Sequence, residues 1–136
     1  AGNLGTQLKT VEDIMQTGEK IPFVKKSLGM KSAIKILSNK KLGILVVQNN
    51  QKKTIGVITD GQIRRFSESK VNLSSLKVVE VMTKNPISIY KDDLAAKALA
   101  LMNSKKITSL CVHNKRNKNK TIGILHIHNI LESNVS

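Results

Sequence analysis

Apolar residues follow two rhythms along this chain, and the same succession of rhythms occurs twice. Met30, Ala33, Ile34 and Leu37 recur at helical spacing with Ser32 and Lys35 on the outer face. Leu94, Ala98, Leu101 and Met102 do the same, with Lys97 outside. Short apolar runs, Ile44 to Val47 and Ile55 to Thr59, flank the polar stretch Asn49-Asn50-Gln51 and predict a hairpin. Ser109 to Val112 and Ile122 to His126 predict a second one, across a turn from Asn114 to Lys120. Ile21 to Val24 and Ile87 to Ile89 read as short first strands, each entered beside a proline (Pro22, Pro86) that tolerates only a strand start or edge. Gly61 to Phe66 and His128 to Leu131 read as closing helices. Ser67 to Leu76, rich in Ser and without an apolar stripe, reads as a linker.

The repetition is legible residue by residue. Val11-Glu12-Asp13-Ile14-Met15 is echoed by Val78-Val79-Glu80-Val81-Met82, and Thr54-Ile55-Gly56-Val57-Ile58 by Thr121-Ile122-Gly123-Ile124-Leu125, both 67 positions on. Ala33 matches Ala98, and Leu45-Val46-Val47 matches Leu110-Cys111-Val112, at an offset of 65. The turn from Asn49 to Lys53 is shorter than that from Asn114 to Lys120 and absorbs the difference, as a structural duplication requires. A single copy of about 60 residues buries little apolar surface. The predicted fold is therefore α+β: two βαββα repeats packed with pseudo-twofold symmetry, leaving equivalent clefts lined by matching strand ends. The expected partition is a leader at 1–10, repeats at 11–67 and 78–133, a connection at 68–77 and a tail at 134–136.

Composition narrows the function. With 40% apolar residues in 136, a packed core rather than disorder is expected. The longest apolar runs are far short of the roughly 18 residues a bilayer span needs, and no signal-peptide pattern opens the chain. One cysteine, Cys111, cannot form an internal disulfide, which fits a reducing, cytoplasmic compartment. Lys and Arg number 23 against 9 acids, a formal charge of +14, which invites a nucleic-acid reading. Three features weaken it. Only Arg64, Arg65 and Arg116 are arginines, the residue that base readout and phosphate forks favour. Phe23, Phe66 and Tyr90 are too scattered for a stacking platform. The lysines come as dispersed pairs (Lys25-Lys26, Lys40-Lys41, Lys52-Lys53, Lys105-Lys106) and as the turn from Lys115 to Lys120. Neither nucleic acid nor membrane is expected as a partner.

What survives of the charge is local. Thr59-Asp60 and His126-Ile127 each end a last strand and begin a helix, where backbone N–H groups and a positive dipole suit a phosphate. Asp60 either meets a ligand or caps the helix. Arg64 and Arg65, one turn on, either fork an anion or form a solvated helix face. Thr108-Ser109 matches Gly43-Ile44 and offers hydroxyls beside the second cleft. His126 and His128 raise a zinc reading, with Cys111 on the neighbouring strand as a third ligand. No carboxylate or second thiol lies near in sequence, and the alternative is a core Cys111 with His126 lining a polar pocket. No metal, cofactor or catalytic residue is expected, since no nucleophile, base and orienting group can be assembled.

The duplicated unit resembles a tandem CBS-domain pair, or Bateman module, from Val11 to Leu131, through Asp13-Ile14-Met15 ahead of a proline and Ile55-Gly56-Val57-Ile58-Thr59-Asp60-Gly61 at the strand-to-helix turn. More narrowly, Val11 to Pro22, Thr59 to Arg65 and Leu125 to Leu131 resemble the C-terminal half of bacterial arabinose-5-phosphate isomerases, in which a catalytic SIS domain precedes a CBS pair. Ala1 to Gly5 is similar to the linker leaving that domain. The resemblance implies a regulatory fragment, inactive by itself, of an enzyme that interconverts ribulose-5-phosphate and arabinose-5-phosphate for Kdo and lipopolysaccharide synthesis. It implies a homodimer, a partner SIS domain in the same polypeptide, and an anionic nucleotide or nucleotide-sugar effector, CMP-Kdo ahead of adenosine nucleotides. Many CBS pairs place an Asp on the ribose hydroxyls at the strand-to-helix turn. The matching residues here are Gln62 and Asn129, amides that bind a hydroxyl without charge assistance. An assembly module with vestigial clefts is the alternative.

Overall fold

The computed structural model describes residues 8–133; Ala1 to Gly5 and the tail 134–136 lie outside the described residues. In chain order the elements are α1 (Val11–Ile14), β1 (Phe23–Lys25), α2 (Met30–Lys40), β2 (Ile44–Gln48), β3 (Thr54–Thr59), α3 (Asp60–Glu68), α4 (Val78–Val81), β4 (Ser88–Tyr90), α5 (Ala95–Lys105), β5 (Ser109–Asn114), β6 (Asn117–His126) and α6 (Ile127–Ser133). They form two three-stranded mixed sheets, ordered β1-β2-β3 and β4-β5-β6, each with a parallel first pair and an antiparallel second pair. The class is α+β, as predicted.

Two compact units result: a continuous one at residues 22–86 and a discontinuous one made of the chain up to Ile21 together with the chain from Ile87. In the continuous unit α2 turns Met30, Ala33 and Leu37 onto Leu45, Val47 and Ile58. In the discontinuous unit Ala98 and Met102 of α5 meet Ile89, Leu110, Val112, Leu125 and Ile130. The helical spacing read from the sequence is thus the buried stripe of each helix. Lys41 and Lys106 end these helices in the left-handed region, at φ 58° and 57°, the conformation a C-terminal glycine usually supplies.

Four elements differ from the sequence reading. The first strands begin later than expected; Pro22 lends its carbonyl to Val46 N at 2.9 Å but has no N–H to extend the pairing. The Ser-rich stretch is packed rather than a free linker: α3 runs to Glu68, Leu73 enters the core, and the Leu76 carbonyl accepts Met30 N at 2.8 Å. The turn expected from Asn114 to Lys120 is short, because Asn114 already pairs with Asn117 and β6 runs from there through Lys120. The fourth difference concerns the short helices α1 and α4, which the strand-first reading lacked. α1 buries Val11 in the core of the discontinuous unit, with Val11 N on the Asp93 carbonyl at 2.8 Å. α4 buries Val78 and Val81 in the core of the continuous unit, with Val78 N on the Leu28 carbonyl at 2.8 Å. Each opening helix therefore completes the unit whose sheet comes from the other sequence repeat.

The residue after each repeated Met, Met15 and Met82, closes this exchange by a reciprocal backbone pair. Thr83 N donates to the Val57 carbonyl at 2.9 Å, and the Thr83 carbonyl accepts from Val57 N at 3.0 Å. Gln16 and Ile124 do the same at 2.8 and 2.9 Å. So close an approach requires a bare backbone on the strand. A methyl group at Gly56 would stand 2.7 Å from Met82 Sδ and 2.8 Å from the Thr83 carbonyl, and one at Gly123 would meet Met15 Sδ and stand 3.1 Å from the Gln16 carbonyl. Gly56→Ala and Gly123→Ala are each expected to cost about 1–3 kcal/mol through overpacking. Urea unfolding should show the loss as a lower midpoint, and an unchanged midpoint would contradict the closure described.

Candidate functional site

Each unit has a strand-to-helix corner built to one plan. In the continuous unit β3 ends at Thr59 and α3 begins at Asp60, whose N–H donates to the Gly43 carbonyl at 3.1 Å. In the discontinuous unit β6 ends at His126 and α6 begins at Ile127, whose N–H donates to the Thr108 carbonyl at 2.8 Å. The loop before the middle strand thereby holds the first residue of the closing helix.

At the first corner Thr59, one residue before the expected Asp60, is the cap. Thr59 Oγ1 accepts Gln62 N at 3.3 Å, and Gln62 Oε1 accepts Thr59 N at 2.8 Å. Gln62 is only 7% exposed, and its amide nitrogen donates to Thr83 Oγ1 at 2.6 Å and to the Val81 carbonyl at 3.3 Å. Its polar atoms are all engaged inside the protein. Asp60, Arg64 and Arg65 are exposed. Asp60 directs Oδ2 toward Gly43, 3.0 Å from where a methyl group there would sit. The guanidiniums fold back over the helix start: a methyl group at Gly61 would lie 3.3 Å from Arg65 Nη1 and 4.0 Å from Arg64 Nη2. Two cations and one carboxylate thus share the rim of a nine-residue helix.

The second corner repeats the bonds with other residues. Asn129 Oδ1 accepts His126 N at 2.8 Å and Gln16 Nε2 at 3.5 Å. A long Gln62 reaching a short Thr83 has become a short Asn129 reached by a long Gln16. His128 N donates to His126 Nδ1 at 3.1 Å, and the two rings meet edge to face with centroids 4.6 Å apart. Burial first, then the neighbouring His128, lowers the His126 pKa below the usual histidine value. Ser109 lies opposite His126 in the sheet register, and Thr108 is exposed beside it. No arginine occupies this helix. Sequence reasoning missed Thr83 and Gln16, whose partners lie 21 and 113 residues away.

The zinc reading gains no third ligand. β6 ends at His126, so His128 belongs to a helix rather than the strand, and no group of three potential metal ligands occurs among the described residues. Cys111 sits in the core opposite Ile124, hydrogen-bonded to Thr121, and burial pushes its thiol up to about 12. His113, also buried, pairs through Nε2 with Thr121 Oγ1 at 3.3 Å. Burial lowers its pKa, partly opposed by a backbone hydrogen bond to Lys118.

The CBS-domain family profile matches residues 11–69 and 78–135. The chain is 36% identical over 135 residues to the arabinose 5-phosphate isomerase KdsD of Escherichia coli K12, covering 98% of this chain and 40% of that protein. It is also 36% identical to the uncharacterized protein RP505 of Rickettsia prowazekii, covering 99% of this chain and 41% of that protein. The chain thus spans about 40% of the length of the curated relatives it matches. Among solved structures, CBSX2 in complex with AMP superposes with a TM-score of 0.78 at 25% identity, covering 91% of this chain and 94% of that one.

Gln62→Leu is expected to cost about 1–3 kcal/mol, because it removes half of the cap and strands the buried Val81 carbonyl. Denaturant titration measures this, and wild-type stability would contradict the role. A thiol raised to about 12 and buried should react with a disulfide reagent at least a hundredfold more slowly in the folded chain than in urea. Equal rates would place Cys111 outside the core.

Proposed function

The chain belongs to the CBS-domain family as a tandem pair, and we propose that it is the nucleotide-sensing regulatory part of a sugar-phosphate isomerase of the arabinose-5-phosphate type. The observation that carries this reading is the 36% identity running through 98% of the chain against only 40% of the isomerase. On this reading the chain isomerises nothing by itself, acts in the cytoplasm on a SIS domain of the same polypeptide, and pairs as a homodimer.

The two corners are the ligand sites. A phosphate, or the carboxylate of an acidic sugar, is held by the Arg64 and Arg65 guanidiniums at the rim of α3, where charge-assisted bonds are strongest. Asp60 accepts from a sugar hydroxyl, a role the inward-facing Gln62 cannot take. Thr59 and Gln62 keep the corner in shape. In the discontinuous unit Thr108, Ser109, His126 and His128 take the equivalent positions, with Asn129 as the brace. Adenosine nucleotides are favoured by the AMP complex of CBSX2; CMP-Kdo is the pathway end product that the isomerase reading suggests.

The internal engagement of both amides, Gln62 and Asn129, favours a second reading, an assembly module with vestigial sites. A melting panel separates the two. AMP, ATP and CMP-Kdo are each tested; a ligand at a hundred times its dissociation constant adds roughly 2.7 kcal/mol. Arg64→Ala with Arg65→Ala should abolish the shift from the occupied corner. Silence from all three ligands would reject sensing. A monomer by light scattering at micromolar concentration would then reject assembly.

A further inference from the structure

All three histidines, His113, His126 and His128, fall in the discontinuous unit. His126 holds the place that Thr59 holds in the other repeat, and the difference between the two side chains is chemical. A threonine hydroxyl accepts a backbone N–H at any pH. An imidazole Nδ1 accepts one only while neutral, with its single proton on Nε2. The 3.1 Å bond from His128 N therefore fixes both the tautomer and the charge of His126. A proton arriving on Nδ1 sets N–H against N–H and breaks the bond.

We propose that His126 is a proton-operated cap: neutral, it holds the start of α6; protonated, it releases the His128 backbone and, with the His128 ring beside it, presents N–H donors to an anionic ligand. The anion half rests on the ligand reading above. The groups around His126 leave it this freedom. The facing strand brings Ser109, the preceding loop Thr108, and the brace is the amide pair Gln16 and Asn129, none of which titrates in this range. His128 is the neighbour that acts on it electrostatically. On its own helix the single carboxylate is Glu132, four residues beyond His128.

The sign follows from linkage. The His126 pKa is lowered on folding, chiefly by burial, so the cap's contribution is complete above the ordinary value of 6.5 and fades as pH falls below it. An anion that pairs with the imidazolium must raise the His126 titration midpoint, and protonation must tighten that anion in return.

The test uses the labelled 136-residue chain and nuclear magnetic resonance from pH 8 to 5, with inorganic sulfate, whose charge is constant there, and with AMP. The His128 amide should shift and lose exchange protection with the midpoint of the His126 ring. Saturating sulfate should raise that midpoint by about one unit, equivalent to about tenfold tighter binding in acid. His126→Thr should keep the amide protected at every pH and flatten the sulfate dependence. A His128 amide indifferent to the His126 titration overturns the cap. A midpoint unmoved by sulfate while AMP shifts resonances near Arg64 and Arg65 overturns the anion half and leaves the ligand reading standing. No binding of either anion overturns the anion half and the ligand reading together.

Discussion

The structure depends on two reciprocal backbone pairs, Val57 with Thr83 and Gln16 with Ile124. Each fastens a segment distant in sequence onto the last strand of a sheet, at a glycine where no side chain intervenes. A three-stranded sheet with one long helix leaves part of its apolar face open. Val78 and Val81 close it in one unit and Val11 in the other, delivered by the fastened segments. Without those pairs neither core is complete, and neither closing helix has the brace that fixes its first turn.

That brace decides the chemistry available at the corners. Gln62 and Asn129 tie the helix start to the fastened segment, which leaves the exposed chemistry of each corner to the residues around them. The two corners then diverge. One is rimmed by permanently charged guanidiniums and a carboxylate, the other by two imidazoles and hydroxyls. A duplicated scaffold has kept its hydrogen bonds and changed its exposed chemistry, as expected where packing is constrained and rims are not.

Much of the scaffold was legible in the sequence because its signals are local. Met30, Ala33 and Leu37, or Ala98 and Met102, declare a buried stripe by spacing alone. The duplicated Thr-Ile-Gly motif declared equivalent strands. What stayed hidden is set by partners far along the chain. Nothing around Val11 says that its core lies beside Leu110 and Leu125, and nothing around Gln62 says that Thr83 will satisfy its amide. The Ser-rich stretch concealed Leu73, since one buried residue in a polar run makes no periodicity. At the corners, Thr59 rather than Asp60 capped the helix because a cap is defined by which residue precedes the first turn, and composition does not fix that to one position.

The interleaving also sets an order of events in synthesis. The continuous unit has all its strands and helices once Pro86 has been made, so it can close while the remainder of the chain is still emerging. The other unit cannot. Val11 and Gln16 leave the ribosome before the continuous unit yet wait for Ile124, more than a hundred residues later, before they have anything to pair with. Through that interval an apolar segment remains without its partner, and the loop it must close encloses the whole continuous unit. Of the two units, the one whose first segment emerges earlier is the one that finishes folding later.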